Sequence, residues 1–408
     1  MPGNDNLLSP EVVLDPYTYF GALRESEPVY WNEQLGGWIL TRYDDVMAAF
    51  RDDRLSADRI SPYYQRELQK PGGEKHRLTY DVLSRWMVFV DPPDHTRLRK
   101  LVDWAFRPRV VENLRPGIQA VIDELIAGLK GKRSFDFVEE FAYPLPVIVI
   151  SDMFGVPASE RDRIRAWSDD IMALVFGAFD QGDRHERARN AFSEFSDYLA
   201  ELIEQRRTHP GGEDLISMLV EAGDRDDALT DREIIATAIL ALFGGHETTT
   251  NLLANGLKNL LVHPEQLARL RGNWELLPTC IEEILRFDGP SKAMWRVALE
   301  PVEYGGRRIG KGDRLFLAQT AANRDPRVFD RPDEFDITRT KSRHCGFGYA
   351  AHYCIGAPIA RMEGAMALRS FLEAFPQPEL RQDTFDYQPT VLNRALKTLH
   401  IGFPGQSR

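Results

Sequence analysis

Cys354 is the residue best placed to do chemistry in this 408-residue chain, because of what flanks it. It follows a turn-rich stretch, Phe347-Gly-Tyr-Ala-Ala-His-Tyr, and precedes Ile355-Gly356 and a helical pattern that runs to about Phe375. Unpaired backbone N–H groups in a loop and at a helix N-terminus stabilise a thiolate. A thiolate there can ligate a metal. The other cysteines, Cys280 and Cys345, show no paired spacing with it, which argues against a disulfide framework and a four-ligand zinc site. Taken alone, a cysteine is more often a small buried hydrophobe.

A second candidate lies at the centre of a long helical run, Leu229 to Leu261, which opens on a Thr230-Asp-Arg-Glu233 capping box and stops near Pro264. Its middle reads Gly244-Gly-His-Glu-Thr-Thr249. Two adjacent glycines inside an apolar helix cost about 1 kcal/mol each against alanine. Either something flat approaches the backbone there, or another helix packs tightly against it. Glu247 and Thr248 pair an acid with a hydroxyl, a combination suited to proton transfer, and a threonine hydroxyl also loosens its helix locally. A zinc-protease helix is excluded by Thr250, which stands where the second histidine would be, and His246 is read as packing. Glu283 and Arg286 sit three apart on one helical face and can pair. His95 and Arg99, four apart, also share a face.

Phe347, His352, Cys354 and Gly356, at these spacings, resemble the haem-ligand signature of the cytochrome P450 family, soluble bacterial type. The Glu283–Arg286 pair and the Gly244–Thr249 segment stand at the distances from Cys354 that the family requires, and the resemblance runs from Asp15-Pro16 to the Asn323-Arg-Asp-Pro326 turn and beyond. It implies a mainly α fold with small β-sheets, and haem b between the long central helix and the cysteine loop. Cys354 is then the iron ligand, with Phe347, Gly356 and Gly244 against the cofactor. His95, Arg99, Arg296 and His352 stand at positions the family uses for the two propionates, which need cations when partly buried. Glu247 and Thr248 match the residues that deliver protons to the distal oxygen. Glu283 and Arg286 hold the cysteine loop from below, with Arg339 as the third member.

The implied activity is that of a monooxygenase that activates dioxygen and hydroxylates or epoxidises a largely apolar small molecule. Electrons then come from a separate ferredoxin and ferredoxin reductase, docked through Arg97, Lys100, Arg107, Arg109 and Arg361. A haem sensor or carrier without turnover, a peroxygenase, or an atypical oxidation such as nitration or C–C coupling are the alternatives. Intact Glu247 and Thr248 argue against the sensor. Substrate-pocket candidates are Trp86, Val88, Phe89, Phe176, Leu240, Phe243, Gly244, Ala293, Met294 and Leu392, although aromatic residues at such spacing are more often core. One position departs from the family: Ala350 stands where glycine is usual, in a hairpin that needs unusual backbone angles. An alanine with positive φ there is strained by about 1 kcal/mol, unless the loop relaxes.

The elements that must position these residues follow from periodicity. Short strands are expected at Pro28 to Trp31, Gly37 to Leu40 and Val302 to Ile309, where Gly305-Gly306 makes the turn. Between Thr96 and Leu270 the pattern is helical, broken at Pro108, Pro144 to Pro146, Gly155 to Pro157 and His209 to Gly212. A single domain over residues 1–408 is expected, with a small β-rich N-terminal part and mobile loops near 69–90 and 170–190. A hydrophobic content of 43% supplies a large core. The formal charge of −11, from 62 acidic against 51 basic residues, argues against nucleic acid and anionic membrane surfaces as partners. No signal peptide or membrane-spanning run is evident, and the chain is read as cytoplasmic.

Overall fold

The computed structural model describes residues 5–175, 182–223, 229–340 and 342–403, most of them helical. The chain packs as two compact units, one comprising Ser56–Glu112 and Val147–His246, the other Met1–Leu55, Asn113–Pro146 and Glu247–Arg408. None of the helices among the described residues is long and apolar enough to cross a membrane.

In the first unit, helices Arg161–Val175 and Arg184–Thr208 pack against each other through Trp167 and Phe195, both buried, with ring centroids 4.9 Å apart. Each expected break separates elements here: Gly155 to Pro157 follows a helix ending at Met153, and His209 to Gly212 lies between Thr208 and the helix that starts at Leu215. Segment 69–90 carries the turn Gly73–His76, the helix Arg77–Leu83 and the turn Met87–Phe89. Residues 176–181 of the other expected mobile loop, Phe176 among them, lie outside the described residues.

The second unit holds most of the strands. We number them β1 Val29–Asn32, β2 Gly37–Leu40, β3 Leu55–Ser56, β4 Ser134–Asp136, β5 Met294–Ala298, β6 Val302–Tyr304, β7 Arg307–Ile309, β8 Arg314–Leu317, β9 Glu379–Leu380 and β10 His400–Gly402. The main sheet runs β1-β2-β8-β5-β3, with β1 and β2 antiparallel in the register Trp31↔Trp38 and β2 parallel to β8. The β6–β7 hairpin turns at Gly305 and Gly306, both at positive φ, where glycine carries no Cβ penalty.

The central helix spans Asp231–Val262, about 48 Å at 1.5 Å per residue. Its capping box closes both ways: Thr230 N–H donates to Glu233 (2.9 Å) and Glu233 N–H donates to Thr230 Oγ1 (3.3 Å). Three helices of the second unit meet at small residues. A Cβ on Gly256 would stand 3.0 Å from Ile284, and one on Gly364 would stand 3.2 Å from both Ile281 and Leu252. The end of the central helix, the helix Leu277–Phe287 and the C-terminal helix Ala357–Ala374 therefore pack backbone-close. One buried carboxylate adds a polar lock. Asp288 accepts from Lys258, Tyr17, Asn259 (3.1 Å) and Arg394 (3.1 Å), and the Lys258 and Arg394 cations hold it ionised far below the usual range although burial opposes this.

Candidate functional site

The three cysteines are not equivalent. Cys280 and Cys345 are buried, which pushes each thiol up to about 12, whereas Cys354 is exposed. Cys354 closes a loop whose backbone bonds to itself: Gly348 N–H donates to Cys345 O (2.8 Å), Tyr353 N–H to Ala350 O (3.1 Å) and Cys354 N–H to Phe347 O (2.9 Å). The loop runs into an 18-residue helix that begins at Ala357, so the positive end of the helix dipole lies just beyond the sulfur, with Ala357 N–H donating to Cys354 O (3.4 Å). Gly356 sits beside that sulfur; a Cβ there would stand 3.9 Å from Sγ. Turning this loop requires Gly348 at φ +72° and Ala350 at φ +55°. The strained branch of the expectation for Ala350 is therefore the one realised, at a cost of about 1 kcal/mol.

Glu283 and Arg286 form a bidentate pair, Nε to Oε2 at 2.7 Å and Nη2 to Oε1 at 2.8 Å, with both side chains 0% exposed. Arg339 Nε stands 3.2 Å from Glu283 Oε2, so the residue expected as third member is brought to the pair. The partners of the pair belong to the segment that precedes the cysteine loop. Arg286 donates to the carbonyls of Asn323 (3.0 Å), Pro332 (2.8 Å) and Glu334 (3.0 Å), and Glu283 accepts from Asp336 N–H (2.9 Å). The link to the loop runs through Asn323, whose side-chain oxygen accepts from Cys345 N–H (2.8 Å).

On the central helix the two glycines have different surroundings. A Cβ on Gly245 would meet Ile150 at 3.2 Å, which is the packing explanation, whereas one on Gly244 would meet nothing within 4 Å. His246 is buried, Nδ1–H donates to Leu242 O at 2.7 Å, and burial lowers its pKa to about 4, so it stays neutral and serves packing as expected. Glu247 is buried and accepts from Asn251 Nδ2 (3.2 Å); Thr248, the next residue, is half-buried.

The expected propionate cations lie on four short stretches. His95, buried, and Arg99, half-buried, share the helix Asp94–Asp103. Arg296 is buried on β5, where its Nη1 donates to Trp295 O (2.8 Å) and its guanidinium lies 5.5 Å from the Phe50 ring. His352 ends the turn Ala350–His352. Among the cations expected at a docking face, Arg97 is paired to Glu233 and Arg361 to Glu282, while Lys100, Arg107 and Arg109 are exposed.

The pocket candidates fall into two groups. Trp86 stacks on Phe89 (5.8 Å) and Phe243 (5.5 Å), all three buried, and Trp86 Nε1–H meets no acceptor among the described residues. Val88 is exposed and Leu240 half-buried. Ala293 and Met294 are brought beside Leu392, because Lys292 N–H donates to Leu392 O at 2.7 Å. Lys292 itself escaped the sequence reading. Its ammonium is buried, donates to Thr390 O, and is lowered to about 7, first by burial and then by Arg394. Also missed was Glu282, beside Glu283, which holds His344 and Arg361. An i,i+1 acidic neighbour carries no pairing signal in sequence.

A single sulfur from the chain leaves a metal's other positions to be filled by the group that carries it. No cluster of three or more His, Cys, Asp or Glu is placed to hold a metal among the described residues. Within the second unit, an exposed cysteine and the buried Arg296 on β5 suit an iron porphyrin, which brings four nitrogens and two carboxylates of its own.

Comparison with known proteins agrees. The family model described as Cytochrome P450 matches residues 63–398. Cytochrome P450 107B1 of Saccharopolyspora erythraea is 39% identical over 393 residues, covering 95% of each chain. Among solved structures, P450BioI in complex with hexadec-9Z-enoic acid ligated acyl carrier protein aligns with a TM-score of 0.89 at 34% identity, over 96% of this chain and all of the other. CYP109E1 from Bacillus megaterium, in complex with testosterone, aligns with a TM-score of 0.87 at 31% identity, over 97% and 99%.

Proposed function

This chain belongs to the cytochrome P450 family and is a haem-thiolate monooxygenase with haem b as cofactor; from that premise we propose that Cys354 is the thiolate and that the chain acts as one haem domain. The observation that carries the assignment is the contrast among the three cysteines. Only Cys354 combines exposure with a helix N-terminus, and the other two thiols are buried and held protonated.

When bound, the haem supplies activation of dioxygen and insertion of one oxygen atom into the substrate. The chain's residues do the rest. Gly244 leaves room for a flat group against the central helix, and Phe347 and Gly356 flank the sulfur side. Arg296 and His352 neutralise the propionates, a role the sequence also assigns to His95 and Arg99. Glu247, held by Asn251, stores a proton that Thr248 hands on through its hydroxyl.

Substrate is a largely apolar small molecule, in keeping with the fatty acyl and steroid ligands named for the two solved relatives. Trp86 Nε1–H is one polar handle available to it. Electrons come from a ferredoxin and its reductase, docked through Lys100, Arg107 and Arg109 rather than through Arg97 or Arg361, whose charges are committed. The enzyme works in the cytoplasm.

The test is the spectrum of the reduced, carbon monoxide-bound protein. Thiolate ligation red-shifts the Soret band in the parent and not in Cys354→His; an unshifted parent, or a shift that survives in the variant, overturns the assignment. Thr248→Ala should consume reductant with less product and more peroxide.

A further inference from the structure

We infer that Glu282, His344 and Arg361 form a clamp of positioning residues that fixes the Cys354 loop and so sets the environment of the sulfur; this rests on Cys354 being the haem ligand. Glu282 and Glu283 are consecutive, so about 100° of helix separates their side chains and they serve different faces. Glu282 takes Arg361 in bidentate fashion, Nε at 2.5 Å and Nη2 at 2.9 Å, and its Oε2 lies 3.0 Å from His344 Nε2. Burial would raise this carboxyl, but the bonds to His344 and Arg361 prevail and hold it at about 2.

Each partner fixes one end of the loop. His344 Nδ1 accepts from Gly346 N–H (3.1 Å), so its proton is on Nε2 and points at Glu282. Gly346 lies flat on the same helix, where a Cβ would stand 3.0 Å from Leu285 O. At the other end, the Arg361 guanidinium lies 4.6 Å from the Phe347 ring centroid, and its Nη1 donates to Tyr353 OH (3.0 Å). Phe347 and Tyr353 bracket the ligand, since Phe347 O accepts from Cys354 N–H and Tyr353 is the residue before it. One carboxylate therefore controls positions 344, 346, 347 and 353. Loosening it frees the backbone on both sides of Cys354, whose hydrogen bonds Gly348 N–H to Cys345 O and Cys354 N–H to Phe347 O hold the sulfur in place.

The experiment compares the haem-loaded parent with Glu282→Gln, Arg361→Met and Arg361→Lys. Glu373→Gln, which breaks the exposed Arg369–Glu373 pair on the same helix, is the control. Amide exchange at Gly348 and Cys354 should accelerate about tenfold in Arg361→Met and Glu282→Gln, and less in Arg361→Lys, which keeps charge but loses the fork. In the same order the reduction potential should move from the parent value, and the red-shifted band should give way to an unshifted one at higher pH than in the parent. Glu373→Gln should change none of these. Parent-like exchange, potential and band in both Glu282→Gln and Arg361→Met would overturn the clamp while leaving Cys354 as ligand. A parent with no red-shifted band removes both, and then Cys354→His matches the parent. If Arg361→Met does not fold, the nearly isosteric Glu282→Gln decides.

Discussion

Two neighbouring carboxylates on one helix illustrate how burial changes the work an ion pair does. Glu283 and Arg286 are wholly inaccessible, and Arg286 spends its remaining donors on three backbone carbonyls of the segment Asn323 to Glu334. Glu282 and Arg361 retain 27% and 35% exposure and reach side chains of the cysteine loop instead. In the first pair nothing can be removed without leaving a buried charge behind. In the second, water can replace a lost partner, so the consequence is looseness rather than collapse.

Glu283→Ala tests the buried side of this contrast most severely. It leaves Arg286 buried and without its carboxylate, and a loss of about 3–5 kcal/mol is expected by denaturant titration. A loss near that of a surface pair would erase the distinction.

Glu363, on the helix that carries Arg361, sharpens it further, because it is nearly as buried as Glu283 and its Oε2 meets no partner among the described residues. Burial raises its carboxyl to about 8. The folded pKa lies above the unfolded one, so its contribution is fully present below about pH 4.5 and is lost as pH rises through about 8. Glu363→Gln should therefore flatten the stability profile across that window by on the order of 1 kcal/mol per pH unit. An unchanged slope between parent and variant would show that water or a partner already satisfies this acid.

Glu282 has the opposite sign. Its folded value of about 2 lies below the ordinary 4.5, so the stabilisation is present above about pH 4.5 and lost as pH falls towards 2. Glu282→Gln should cost about 1 kcal/mol at neutral pH, the cost shrinking with acidification in urea melts at several pH values. The smallest expected effect is in the loop itself. Ala350→Gly relieves the positive φ, and a gain of about 0.5–1 kcal/mol in thermal or denaturant unfolding is expected. A loss there would mean that other contacts of Ala350 outweigh its strain.

Much of this was legible in the chain because it is local. The strand expected at 28–31 and found at 29–32, the strand at 37–40, the hairpin turn at Gly305-Gly306 and the capping box at Thr230–Glu233 depend on neighbours within a few residues, and each forms within one residue of where the pattern placed it. Cys354 was identifiable for the same reason: loop, cysteine and helix start are contiguous. Gly244 and Gly245 were less legible, because the pattern treats two glycines alike. Only the position of Ile150 separates the one that packs from the one that leaves space.

The sequence by itself determined the family, the ligand candidate and the elements that carry them, since spacing along a strand or helix fixes which side chains share a face. Tertiary structure alone decided which charges are committed. Arg361 and Arg97 read in sequence as free surface cations, yet the first is bound to Glu282, 79 residues away, and the second to Glu233, 136 away. Pairing across such separations is set by how helices pack, and an ion pair leaves no periodic trace in the chain. That is why the carboxylate gripping the loop of Cys354 became visible only in three dimensions.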